Sequence, residues 1–120
     1  MIHTSYFAKL SKIPKEMVPV SICAKAPSWF QGLEYKKLAP SYSILMKYKQ
    51  DKNEEDYVKA FESEILTKLN PHQVVVELKK MADGRDVVLL CYEKPSDFCH
   101  RHLVADWLTK AGFECNEITL

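Results

Sequence analysis

Glycine is scarce in this 120-residue chain, and its scarcity excludes several functions at once. With only Gly32, Gly84 and Gly112 available, neither a P-loop nor a dinucleotide fingerprint can be written, because each crowds several glycines into one turn. Long apolar runs are also missing, and nothing approaches the roughly 18 residues that a membrane span needs. The opening segment MIHTSYFAKL lacks the apolar centre of a signal peptide, so a cytoplasmic location without membrane association is expected. Cysteine is too sparse for a disulfide framework, and Cys23, Cys91, Cys99 and Cys115 are expected as thiols.

Hydrophobic residues make up 47% of the chain, enough for one ordinary core, so residues 1–120 are expected to form a single domain. The formal net charge of +1 conceals an uneven distribution. The first 50 residues hold eight lysines against Glu16 and Glu34, and the remainder is acidic. The basic half is interleaved with Tyr6, Phe7, Trp29, Phe30, Tyr35, Tyr42 and Tyr48. That pattern suits attraction of phosphates and stacking on bases, or simply solvated lysines over an aromatic core.

The most informative stretch is Asp86 to Gly112. Val87 to Leu90 is apolar without alternation, as in a strand covered on both faces of a parallel sheet. Pro95-Ser96 stops it, with Ser96 expected to cap a helix and Asp97 in its first turn. Gly112 is expected to end that helix. At about 100° per residue, Leu103, Val104, Trp107, Leu108 and Ala111 share the buried face with His100. Arg101 lies at its edge and His102 on the opposite side.

Around this stretch, Ile2 to Tyr6 reads as a strand and Met17 to Cys23 as another. Pro19 should make the latter an edge strand or delay its start to Val20. Ser43 to Lys49 reads as a short helix and Glu54 to Leu69 as a long one. Asn70-Pro71 opens a third, although Val74-Val75-Val76 also fits a strand. Phe113 to Ile118 reads as a last strand. The fold class is therefore α/β, a three-layer sandwich around a mostly parallel sheet.

The candidate site gathers where the central strand meets the following helix. Cys99, third in the helix, gains thiolate character from the dipole and from Arg101. Glu93 and His100 would move protons, with Cys91 as the alternative nucleophile. Arg101 and the helix N-terminus would hold an anion. Thr4, Ser5, Tyr6, Ser21, Lys25 and Trp29 would complete a binding crevice, Tyr6 or Trp29 stacking on a base. A metal at Cys91, Cys99 and a histidine, with Glu93 or His3 as fourth ligand, fits none of the common zinc spacings, so none is expected. Pairing of Cys91 with Cys99 in a redox cluster remains open. Cysteine phosphatases are excluded, since Arg101 follows Cys99 by only two positions.

The segment LLCYEKPSDFCHRHLVADWL resembles the signature of the family called domain of unknown function 488, through Cys91, Glu93, Cys99, His100 and Arg101. TSYFAKL at 4–10, PVSICAKAP at 19–27 and YKKLAPS at 35–41 are similar to its N-terminal segments. The resemblance implies a small cytoplasmic α/β protein whose shared residues meet in one crevice, and brings no established activity or cofactor. The function expected is binding of, and action on, a phosphorylated nucleotide-like ligand. The alternative is a non-enzymatic nucleic-acid- or protein-interaction module built on the lysine- and aromatic-rich half.

Overall fold

The apolar run at the centre of the sequence becomes the centre of the sheet: β4 (Val87–Cys91) is buried at all five positions. The structure, a computed structural model, describes residues 1–119. β4 lies between β1 (Ile2–Tyr6) and β2 (Val18–Ser21), with β3 (Leu33–Glu34) beyond β2 and β5 (Cys115–Glu117) beyond β1. The order is β3-β2-β4-β1-β5, and every pairing is parallel. Burying both faces of β4 explains its lack of alternation. Each fully buried Val or Leu contributes about 1.5–3 kcal/mol to that core.

Pro19 sits inside the sheet, a departure from the edge expected of it. β2 begins at Val18, whose N–H donates to the Asp86 carbonyl on the β4 side. Successive residues of a strand point their N–H groups to opposite sides, so the donor Pro19 lacks would face β3. β3 pairs only with Val20 and Ser21, and no acceptor is left waiting.

Four α-helices complete the fold: α1 (Tyr42–Asp51), α2 (Glu54–Glu64), α3 (Pro71–Met81) and α4 (His100–Lys110). Asn70 caps α3, its side-chain oxygen accepting from the His72 and Gln73 amides at 2.9 and 3.2 Å, so the valine triplet is helical. The helix expected over Glu54–Leu69 breaks at Ile65 (φ −111°, ψ −66°) and resumes as a 3₁₀ turn over Leu66–Lys68. That tightening sinks Leu66 into the core.

The start of α4 corrects the expected cap. Pro95 and Ser96 occupy the middle of a β-turn closed by the Asp97 amide on the Lys94 carbonyl at 3.0 Å. Proline's fixed φ suits the first central position of such a turn. The helix begins only at His100, with Cys99 in extended conformation as its N-cap. At the far end Gly112, at φ 94°, donates to Thr109, and Phe113 donates to Leu108, which closes the helix as expected. The deepest face of α4 is His100, Arg101, Val104 and Leu108, with Leu103, Trp107 and Ala111 half-buried. Arg101 is therefore fully buried rather than marginal, and His102 is half-buried rather than solvent-facing.

From the carboxyl end of β2 the chain runs outward to β3, whereas from β4 it leaves the other way, past β1 to β5. Neighbouring strands whose exits part in this manner leave a crevice beyond their carboxyl ends.

Candidate functional site

The crevice is a cavity of about 320 Å³ above the ends of β2 and β4. Cys23 follows β2, Cys91 ends β4, and Cys99 and His100 open α4, so three chain segments bring these groups to its floor. The Cys91 Sγ lies 3.7 Å from the Cys23 Sγ and 3.3 Å from the His100 Nδ1. The ligand atoms of Cys91, Cys99 and His100 lie within 4.8 Å of one another. His100 Nε2 donates to the Ile22 carbonyl at 2.7 Å. A carbonyl accepts only, so that bond fixes the proton on Nε2 and turns Nδ1 toward the sulfurs.

Depth sorts the three thiols. Burial pushes the Cys91 thiol well above its ordinary value, and the neighbouring Cys23 and Cys99 sulfurs raise it further. Contact with Cys91 in turn lowers Cys99 and Cys23, against the burial of each, with His100 assisting. Burial alone would depress the His100 imidazolium, but the Cys99 sulfur and the Ile22 carbonyl raise it. These directions favour the charged form of both partners, the Cys99 thiolate and the His100 imidazolium.

Aromatic side chains wall the cavity. Tyr48 of α1 and Tyr57 of α2 meet Phe98 with ring centroids 5.4 and 5.0 Å apart. Burial raises the Tyr57 phenol, which stays neutral. Lys25, Lys49 and Glu93 stand at the rim. Partial loss of hydration raises the Glu93 carboxyl, and the Cys99 charge beside it does the same.

The structure brings together Lys25, Cys91, Glu93, Cys99 and His100 of the residues singled out from sequence. It disposes of the others differently. The Arg101 guanidinium, 0% exposed, grips the Glu117 carboxylate through Nε and Nη2 at 3.1 and 3.0 Å. Its Nη1 donates to the Glu93 carbonyl at 2.7 Å, and the Tyr6 ring lies against it, centroid 5.7 Å away. Thr4 Oγ1 donates into the same Glu117 carboxylate at 2.6 Å. Ser5 is buried within β1, and Ser21 Oγ accepts from the Cys23 amide at 3.3 Å. Trp29, 58% exposed, packs edge-on against Phe7 outside the cavity.

Three contributors, Cys23, Tyr57 and Phe98, had no role in the sequence reading, and Tyr48 entered it only among the aromatics of the basic half. For Tyr57 the available signal was a phenol on the apolar stripe of α2, where a hydroxyl calls for a polar opening. Cys91, Cys99 and His100 are also a donor set that soft divalent ions such as zinc accept, with Cys23 adjacent.

A family model described as "DUF488-N3a: Active DUF488-N3 subclade" matches residues 10–112. No curated protein and no solved structure matches the chain. With most of its length covered by that match, the chain belongs to the DUF488 family.

Proposed function

We propose that the crevice binds a small anionic ligand bearing a planar ring, a nucleotide or part of one, and that Cys99 attacks an electrophilic centre of it. The observation that carries this reading is the meeting of Cys99, His100 and Glu93 inside one aromatic-walled cavity. Its size, about 320 Å³, falls at the lower end of the ~300–1,000 Å³ typical of small-molecule pockets. Tyr48, Tyr57 and Phe98 offer ring faces for stacking, and Lys25 and Lys49 offer positive charge to a phosphate. These replace Arg101, Tyr6 and Trp29 in the roles expected from sequence, because Glu117 and the Glu93 carbonyl already engage the guanidinium.

In the reaction, the Cys99 sulfur forms a bond to the electrophile as the bond to the leaving group breaks. Glu93, protonated more readily than an ordinary carboxyl, supplies the leaving group's proton. His100 stabilises the thiolate beforehand, and its Ile22 bond keeps the ring from turning away. The word "active" in the description of the matching family model supports an enzyme. The basic-surface alternative is weaker, since Lys37 pairs with Glu77 and Lys47 with Asp51 and Asp56.

The test is alkylation of the intact protein by iodoacetamide, mapped by mass spectrometry with and without AMP. Cys99 should react first, already at pH 7, and AMP should slow it. Protection should weaken when Lys25→Glu and Lys49→Glu are combined. A slow Cys99 removes the nucleophile; a fast Cys99 indifferent to AMP removes the nucleotide-like ligand.

A further inference from the structure

The nucleophile just described uses one thiol and leaves two buried neighbours, Cys91 and Cys23, without work. From their spacing we propose that the cluster is also an oxidation site, in which a hydroperoxide entering the crevice oxidises Cys99, Cys91 resolves the product and Cys23 receives the disulfide. The inference rests on Cys99 being the reactive thiol of the proposed function, and adds a second substrate class to the same site.

The chain of distances carries it. Cys99 stands at the N-cap of α4 on the cavity floor, where a small hydroperoxide reaches it through the opening that admits a ligand. Cys91 is the middle sulfur, within 4.8 Å of Cys99 on one side and 3.7 Å from Cys23 on the other. It is also the most buried of the three, 1% exposed. A thiol so placed is poorly reached by ligands and well reached by its neighbours.

The steps balance. The Cys99 thiolate attacks one oxygen of the hydroperoxide, an S–O bond forms, the O–O bond breaks, and the alcohol leaves with a proton from His100. Cys91 then passes its proton to His100 and attacks the sulfenic sulfur. An S–S bond forms, the S–O bond breaks, and the departing hydroxide takes that proton to leave as water. Two thiols have been oxidised and one hydroperoxide reduced. Cys23 then gives its proton to His100, now neutral, and attacks Cys91, releasing Cys99 as thiolate and leaving a Cys23–Cys91 disulfide. A small dithiol such as dithiothreitol returns the pair to thiols. Oxidation thus ends away from the nucleophile, which is spared conversion to sulfinic acid.

The experiment exposes the reduced, untagged protein to one equivalent of hydrogen peroxide and follows intact mass and disulfide-mapped peptides. The expected product has lost two hydrogens, carries a Cys23–Cys91 bridge, keeps Cys99 alkylatable and reverts with dithiothreitol. In Cys23→Ser the bridge should stop at Cys91–Cys99 and block alkylation. In Cys91→Ser, dimedone should trap sulfenic acid at Cys99. Wild-type protein that gains oxygen at Cys99 without any bridge, or loses no thiol at all, overturns the proposal, and neither result depends on a variant folding. Rapid iodoacetamide alkylation of Cys99 in the reduced protein, before peroxide is added, would leave the nucleophile standing while the redox relay falls.

Discussion

Replacing Glu117 by alanine should destabilise this protein more than its position in a three-residue edge strand suggests. The Arg101 guanidinium has no exposed surface, and Glu117 takes two of its hydrogen bonds, at 3.1 and 3.0 Å. Truncation would leave a buried cation with the Glu93 carbonyl as its remaining hydrogen-bond partner, beside the Tyr6 ring, and would also orphan the Thr4 hydroxyl. Breaking a buried pair from one side costs about 3–5 kcal/mol. Because the Glu117 side chain is 23% exposed and water can reach part of the gap, the lower end applies, about 3 kcal/mol. With a urea slope of about 2 kcal/mol/M, the unfolding midpoint should fall by about 1.5 M. Far-UV circular dichroism across a urea series measures it. Glu93→Ala is the control, since Arg101 meets that residue only through its backbone carbonyl. A Glu117→Ala midpoint within about 0.3 M of the parent would refute the reasoning, because the guanidinium would then have another anion or water to satisfy it.

Two further outcomes follow from the same geometry. The folded Glu93 carboxyl is raised above its unfolded value, so its proton stabilises the fold at low pH, and that stability is lost as pH rises through the folded value. Glu93→Gln should therefore match the parent near pH 4 and exceed it near pH 7, in thermal melts across that range; equal melting temperatures throughout would mean the carboxyl is fully hydrated. Asn70→Ala removes the acceptor for two amides at the start of α3 and should cost about 1 kcal/mol by urea unfolding, with no change in the alkylation rate of Cys99.

What the sequence made legible follows from the range of the interactions involved. The uninterrupted Val87–Leu90 run, the Asn70-Pro71 start of α3 and the Gly112 stop of α4 are local signals, and each appears in the structure as read. The matching family and the α/β class were legible for the same reason, since the chain around Cys91 to Leu108 carries them. The cap of α4 was misplaced because Pro95-Ser96 suits a helix start and a turn equally well in isolation. Only the distance the chain must cover from the end of β4 to the cavity decides between them. The fate of Arg101 was illegible because its partner, Glu117, lies 16 positions away on a strand whose place beside β1 is a tertiary fact. The aromatic wall was hidden for a related cause: Tyr48, Tyr57 and Phe98 come from separate segments and look like core until the cavity between them exists.

The two halves of the α4 N-terminus are mechanically joined. Consecutive residues fan out by about 100° around a helix start, so Cys99 and His100 can face the crevice while Arg101 turns to the opposite flank of β1. Yet Arg101 reaches back through Nη1 to the Glu93 carbonyl, and Tyr92 is held by its hydroxyl on the Lys25 carbonyl at 2.7 Å. The loop that carries the rim carboxyl is thereby pinned at its first two residues, one to the β2 side and one to the buried ion pair. Glu93 keeps its position relative to Cys99 because a charge outside the crevice lining holds its backbone. A substitution at Glu117, remote from the cavity in sequence and outside its lining, should for that reason alter the pH dependence of any reaction in which Glu93 gives up a proton. The same substitution should leave the His100–Ile22 bond, and with it the alkylation rate of Cys99, unchanged.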